Sequence, residues 1–453
     1  MFFSVHTLGC KLNQLETEAI TDAFSRNGFN RIPKTPGENG IIIVNTCTVT
    51  SMAEQKARRL IRRLLKDHAA ACLIITGCYA QMDREIIEKE FPERVFVIPG
   101  ESKDLLLDLP AFLVDSGIDP ALASFTASLP SVLRRLGENS SEEIGAFRFR
   151  PEKFASHSRG FVKIQDGCDR RCSYCRVCLA RGKSRSLGAE EVLKELLSLE
   201  ERGFNEAVLT GVNITQYLSA GMNLAGLLEF LLKGSGKIRI RLSSIDPDMP
   251  DDSFFAVLAD KRIRPHFHLS LQSGNANILS RMGRAYTQEK IKKTVENLRL
   301  AKEDPFLACD IIAAFPGESE AEFEDTRFLC ERLGFSWIHA FPFSPRPGTP
   351  AYDFPGRIHE GEAKRRVELL TTLAVKGRLE YIGRWKGREV EAIVESGKAA
   401  VRGMINGVSE NYLKLLINTA EERPPTPGSL IRCRIMEEAP KDDRFDTLAW
   451  LLN

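Results

Sequence analysis

The sequence predicts an α/β protein in three parts: an N-terminal parallel α/β sandwich, a central partial (β/α)6 barrel and a small C-terminal antiparallel β-barrel. Three observations predict it. Near-continuous apolar strands in the first part each end in a cysteine and lead into a helical stretch, the pattern of a parallel sheet covered on both faces. Six further strand-like segments then alternate with helical ones, which reads as a run of βα units. After Trp385 short strands separated by Gly, Asn and Pro turns replace that alternation, as in a small barrel.

The divisions read as 1–110 for the first domain, 111–150 for a connector, 151–365 for the barrel and 366–453 for the last domain, preceded by a helical linker. A polar break at Ser140-Ser141-Glu142-Glu143 marks the connector. With 453 residues, 43% hydrophobic and 27% charged, the chain suits a soluble multidomain protein. A net charge of +2 provides no global basic field, so any nucleic-acid surface must be local. Eleven cysteines without an apolar leader argue against disulfides and for a reducing cytoplasm. Apolar runs such as Ile41 to Val44 and Ala69 to Ile75 are too short to cross a bilayer, so no membrane is expected.

In the first domain the strands Phe2 to Leu8, Gly40 to Thr46 and Ala71 to Gly77 end at Cys10, Cys47 and Cys78. Parallel α/β folds place their sites at the carboxyl ends of strands, so these three thiols are expected on one edge, with Cys72 at the opposite end. They imply a metal cluster with an open iron; three buried packing thiols are the other reading. The segment Glu54 to His68 carries Lys56, Arg58, Arg59, Arg62, Arg63 and Lys66. It is either a phosphate-contacting face or a solvated one.

The barrel opens with strand Phe161 to Gln165 and then Cys168, Cys172 and Cys175, spaced C-x3-C-x2-C. Three thiolates suit a cubane iron–sulfur cluster whose fourth iron stays free; tetrahedral zinc needs four ligands. Cys178 is the nearest fourth thiol, though a first gap of three is foreign to zinc spacings, and unligated packing cysteines are the third reading. A helix follows at Ala189 to Glu201. The later strands end in polar tails: Gly211-Val212-Asn213, Asp246-Pro247, Gln272-Ser273-Gly274, Phe315-Pro316-Gly317-Glu318 and Pro342-Phe343-Ser344. These gather at the barrel mouth. Asp310 lies inside an apolar strand and must be paired, as a site residue or a structural anchor. Arg181, Arg185, Arg284 and Arg346 are candidates for a carboxylate or for plain surface solvation. In the last domain Trp385 and Tyr412 suit either RNA stacking or an aromatic core.

The cysteine motif with Tyr174 before its last cysteine resembles the radical S-adenosylmethionine (SAM) enzymes. Gly9-Cys10-Lys11-Leu12-Asn13, Asn45-Thr46-Cys47 and Gly77-Cys78-Tyr79-Ala80-Gln81 resemble the methylthiotransferase family within them. Arg181-Gly182-x3-Ser186, Arg241-Leu242-Ser243-Ser244, His268 to Gly274, Met282 to Tyr286 and Phe343 to Thr349 fit the same family. Two departures are Cys178, where a proline or other non-cysteine is usual, and Ala314, where a glycine is common before Phe-Pro-Gly. The C-terminal part resembles the RNA-binding TRAM domain.

The resemblance implies two 4Fe-4S clusters, a SAM-cleaving one on Cys168, Cys172 and Cys175 and an auxiliary one on Cys10, Cys47 and Cys78. It implies SAM contacts from Tyr174, Gly211, Val212, Asn213, Ser243 and Gln272, with no catalytic residue assigned beyond the cluster ligands. It implies a tRNA anticodon stem-loop, an electron donor such as flavodoxin or ferredoxin, and a sulfur donor as partners. The start Gly9 to Glu18 resembles the branch that methylthiolates N6-threonylcarbamoyladenosine at position 37 of tRNA. The alternatives are N6-isopentenyladenosine at that position, a ribosomal protein side chain, and a non-catalytic iron–sulfur RNA-binding protein.

Overall fold

The computed structural model describes the chain except residues 33–39, 93, 119–122, 139–144, 156, 249–250, 398–402, 420–423, 439–443 and 453. The polar break at Ser140 to Glu143 lies outside the described residues. Among the described residues no helix is long and apolar enough to cross a membrane.

The N-terminal sheet has five parallel strands in the order Asn30–Arg31, Phe2–Thr7, Ile41–Thr46, Cys72–Gly77 and Val95–Val97. Ile41–Thr46 and Cys72–Gly77 are wholly buried, because alternate residues serve opposite faces and both faces are covered. Ile41 and Ile43 pack with Phe24, Leu109 and Leu113 on one side. Ile42 and Val44 pack with Ala57, Ile61 and Leu64 of helix Ser51–Asp67 on the other. Helices Leu105–Asp115 and Ala123–Glu138 bury Leu106, Phe125, Leu129 and Val132 in the first of these cores. The stretch expected to be a connector therefore contributes a packed helical layer. Pro110 and Pro130 inside those helices blur the sequence signal.

Among the described residues of the central part, six strands each run parallel to their neighbours, beside two short antiparallel pairs, Gln165–Asp166 with Arg185–Ser186 and Leu218–Ser219 with Met222–Asn223. Gly160–Lys163, Glu206–Thr210 and Arg239–Leu242 form one run, and His266–Gln272, Phe306–Ala313 and Trp337–Pro342 the other. A parallel bridge from Ile245 to Leu269 joins the runs. The result is an open (β/α)6 barrel, with helices such as Ala189–Glu201, Leu224–Gly234, Gln288–Ala301 and Glu320–Leu333 outside. Helix Glu360–Trp385 packs on the last strand through Leu370 and Ala374 and runs unbroken across residue 365.

The C-terminal strands Glu389–Val394, Met404–Ser409, Lys414–Asn418, Thr447–Leu451 and Leu430–Glu438 close into a barrel in that order. Four pairings are antiparallel, and Lys414–Asn418 pairs with Thr447–Leu451 in parallel. The odd strand number explains this, since directions cannot alternate all the way round five strands. Trp385 and Tyr412 turn inward. Trp385 sits in the core with Tyr381 and Val390, and Tyr412 stacks on His266 of the central barrel, ring centroids 4.1 Å apart. Neither is placed to stack a base, and the aromatic-core reading holds for both. Tyr412 lies beside a buried network in which Arg241 and Arg264 both donate to Glu206, at 2.6 and 2.8 Å. Arg241 also donates to the carbonyls of Ser409 and Glu410, tying the two barrels together.

Candidate functional site

Gly167 turns the chain out of its strand at φ +71°, and a Cβ there would stand 1.9 Å from the Lys183 carbonyl oxygen. Only glycine fits before Cys168. The loop that follows is clamped from outside. Ser173 N–H donates to Met282 O at 3.0 Å, Ser173 Oγ to Arg281 O at 2.8 Å, and Ala351 N–H to Ser173 O at 2.7 Å. Cys168, Cys172, Cys175 and Cys178 line a solvent-open cavity of about 540 Å³, together with Leu179, Lys183 and Gly348 to Pro350. Burial, then the neighbouring Cys172 thiol, pushes Cys175 up to about 12. Burial also raises Cys168 and Cys172. Thiols crowded in this way ionise only against a cationic centre. Among the described residues no three His, Cys, Asp or Glu side chains close on one metal ion. A cavity this size between soft donors fits a cluster better than zinc, which sits about 2.3 Å from each sulfur.

The second trio forms at the carboxyl edge of the N-terminal sheet. Cys10 caps helix Lys11–Arg26, Cys47 follows its strand and Cys78 opens a short helix. Gly9 has φ +121° and Gly77 φ +96°; a Cβ on the first would meet Cys47 Cβ at 2.8 Å, and on the second the Thr46 carbonyl at 2.3 Å. Asn13 Nδ2 donates to the Leu8 and Thr46 carbonyls at 2.8 and 3.0 Å, binding two of the cysteine turns together. Burial, then the thiols of Cys10 and Cys78, pushes Cys47 up to about 11. Cys72 begins its strand, paired with Ile41, and is buried at the other end of the sheet as expected.

Arginines join the two trios. Arg181 Nη1 donates to Glu16 at 3.0 Å and Asp166 at 3.1 Å, and its Nη2 to Asn13 Oδ1 at 3.0 Å. Lys103 and Lys163 complete the knot, at 2.6 and 3.3 Å from Glu16, and Lys163 lies 2.6 Å from Asp166. Burial opposes charge here, but Arg181, Lys103 and Lys163 hold Glu16 well below the usual carboxylate range. Lys163 and Arg181 likewise hold Asp166 down to about 2 against its burial. Arg176 donates to Asp83 at 3.0 Å, and Arg346 to Thr48 at 3.1 Å and to Glu54. Thr48 adjoins Cys47. Glu16, Glu54, Asp83, Asp166 and Arg176 do not stand out in the sequence as site residues, because a charged side chain in a polar stretch such as helix Ser51–Asp67 reads like any solvated one.

Three of the four arginine candidates are already engaged within the chain. Arg181 and Arg346 are spent on buried carboxylates. Arg284 pairs with Asp246 at 2.9 Å and donates to Tyr174 Oη at 2.9 Å. Arg185 alone of the four is exposed, on a second cavity of about 500 Å³ that Cys78, Lys103 and Lys183 also line.

At the barrel mouth Gly211 lies against Gln165, whose Oε1 accepts from Asn213 N–H at 2.8 Å, with Val212 between them. Ser243 Oγ and Asp246 Oδ1 are buried with no hydrogen-bond partner among the described residues, an arrangement that calls for a polar ligand. Gln272 closes its strand at φ +65° and is nearly buried, the kind of strain that collects at sites. Asp310 anchors a histidine: His268 Nε2 lies 3.1 Å from it, and Nδ1 2.8 Å from Ser244 Oγ.

Comparison with known proteins agrees with this geometry. Residues 162–330 match the model of the radical SAM superfamily, and residues 3–99 that of an uncharacterized protein family, UPF0004. A solved radical SAM methyltransferase, TsrM from Kitasatospora setae, shares the fold at TM-score 0.51 and 14% identity over 78% of this chain and 77% of that one. The site and fold together define a radical SAM enzyme. The threonylcarbamoyladenosine tRNA methylthiotransferase MtaB of Treponema pallidum (strain Nichols) is 38% identical over 96% of this chain and 98% of its own. That of Bacillus subtilis (strain 168) is 31% identical over 95% and 93%. A tRNA-2-methylthio-N(6)-dimethylallyladenosine synthase of Cereibacter sphaeroides is 30% identical over 96% of each. The chain belongs to the radical SAM methylthiotransferase family, whose cofactors are two 4Fe-4S clusters and SAM.

Proposed function

We propose that this protein is a tRNA methylthiotransferase converting N6-threonylcarbamoyladenosine at position 37 to its 2-methylthio derivative. The observation that carries the reading is two cysteine trios locked across one interface by Arg176, Arg181 and Arg346. The relatives' names support the substrate, since the threonylcarbamoyladenosine enzyme of Treponema pallidum aligns at 38% and the dimethylallyladenosine enzyme at 30%. When bound, the clusters and SAM supply the one-electron cleavage, the radical, and the sulfur and methyl groups.

The chain's own groups hold and orient. Cys168, Cys172 and Cys175 would hold the SAM-cleaving cluster, and Cys10, Cys47 and Cys78 the auxiliary one. Ser243 Oγ and Asp246 Oδ1 are free to meet the polar end of SAM, beside the backbone of Gly211 to Asn213 and near Gln272. Arg284 holds the Tyr174 hydroxyl in place at 2.9 Å. Arg185 and Lys183, which line the cavity beside Cys78, are cations available to the threonylcarbamoyl carboxylate. The modules 1–110, 151–365 and 366–453 serve the auxiliary cluster, the radical chemistry and RNA. An electron donor such as flavodoxin or ferredoxin, a sulfur donor and the cytoplasm complete the setting.

Mass spectrometry of tRNA nucleosides from cells lacking the gene tests this. Loss of 2-methylthio-threonylcarbamoyladenosine is the expected result. Its persistence beside loss of 2-methylthio-isopentenyladenosine overturns the substrate.

A further inference from the structure

The inner face of the last barrel strand carries alternating Trp337, His339 and Phe341, while Ile338 turns out into the core. His339 and Phe341 are both exposed. Their rings lie within 9° of parallel with centroids 6.5 Å apart. That separation is the ordinary repeat of residues i and i+2 along a strand; a base between two rings needs about 6.8 Å, so the two rings must part by about 0.3 Å to admit one. We propose that His339 and Phe341 form a stacking slot for the target adenine, unstacked from the anticodon loop. The proposal rests on the tRNA reading above and adds the wall that grips the base.

The slot is held rigidly. Trp337 Nε1–H donates to His339 Nδ1 at 3.2 Å. An indole only donates, so Nδ1 accepts and the proton of the neutral ring sits on Nε2. Arg378 backs the Trp337 ring at 4.8 Å. His268 meets His339 edge-on at 5.2 Å and is itself fixed by Ser244 and Asp310. The faces are therefore aromatic and the surrounding wall has donors and acceptors, which suits a purine's two kinds of surface.

Its place in the chain suits the chemistry. Beyond Pro342, Ser344 Oγ accepts from Ser51 N–H at 2.9 Å, Arg346 reaches Thr48 beside Cys47, and Gly348 to Pro350 line the Cys168 cavity. A base in the slot is thus anchored on the stretch of chain that runs between the two trios. Phe328, by contrast, is exposed on the outer helix Glu320–Leu333, against Arg327.

The test uses reconstituted full-length protein and an anticodon stem-loop RNA with 2-aminopurine at the target position, whose emission is quenched by stacking. Unsubstituted protein and Phe341→Tyr should quench it, and Phe328→Ala should behave as unsubstituted. His339→Ala and Phe341→Ala should lose the quench and bind about 5- to 150-fold more weakly. Quenching by Phe341→Tyr beside its loss in Phe341→Ala separates the slot from a folding defect. RNA binding without quenching, or equal quenching by the alanine variants, overturns the slot alone. No RNA binding by the unsubstituted protein overturns the tRNA reading and the slot with it.

Discussion

Cys168, Cys172 and Cys175 share one loop, clamped by Met282 and Ala351, whereas Cys10, Cys47 and Cys78 come from three strand ends that meet only in the folded sheet. The first trio depends on local backbone geometry and a few clamps. The second depends on sheet register, since a one-residue slip would turn each strand's side chains to the wrong face. The two are coupled by the buried knot around Arg181, so damage can be confined to either trio or spread through the joint.

Cysteine substitutions should separate the trios most sharply. Cys175→Ala should abolish SAM cleavage altogether. Cys47→Ala should retain 5'-deoxyadenosine formation, lose thiolation, and bind about half the iron. Iron analysis with nucleoside assay checks both, and normal thiolation by Cys47→Ala would sink the two-cluster scheme.

Arg181→Met strikes the joint and leaves Glu16 and Asp166 short of a partner. Stability should fall by about 3–5 kcal/mol, read by denaturant unfolding at pH 7. The pH dependence follows from Asp166, whose folded-state pKa of about 2 lies below its unfolded value. Its contribution, about 2 kcal/mol, is complete above roughly pH 5 and is lost as pH falls from about 4 toward 2. That acid slope should be shallower in Arg181→Met than in the unsubstituted protein.

Gly77→Ala is a milder and local probe of the second trio. With φ +96° and the Thr46 carbonyl 2.3 Å from the new Cβ, it should cost about 1–3 kcal/mol and depress auxiliary-cluster iron before SAM cleavage. Equal loss of both cluster signals would show that the trios are less independent than their construction suggests.

The smallest effect is expected outside both trios. Ala314 holds φ +60°, where a side chain costs about 1–2 kcal/mol. Ala314→Gly relieves this but adds unfolded-state entropy, so a net gain of up to about 1 kcal/mol is expected. The bond from Ala314 N–H to Glu318, at 2.7 Å, is kept by glycine, so a melting temperature unchanged or lowered would show that the added unfolded-state entropy outweighs the strain relieved.

What the sequence determined alone was whatever rests on near neighbours. The Cys168 loop was legible because three ligands fall within one turn of chain, and the strands because burial alternates or runs continuously along them. The convergence of Cys10, Cys47 and Cys78 followed from a general rule about parallel strand ends. What only the tertiary structure decided was the use made of long polar side chains. Arg181 and Glu16 are 165 residues apart and Arg346 and Glu54 are 292 apart, and no local pattern tells such an arginine from one kept for substrate. Tyr412 and Trp385 carry the same lesson, because an aromatic ring reads alike in sequence whether it faces RNA or a neighbouring barrel. A backbone's conformation follows from its own residues and their period, while a charged or aromatic group takes its role from the surface that folding brings against it.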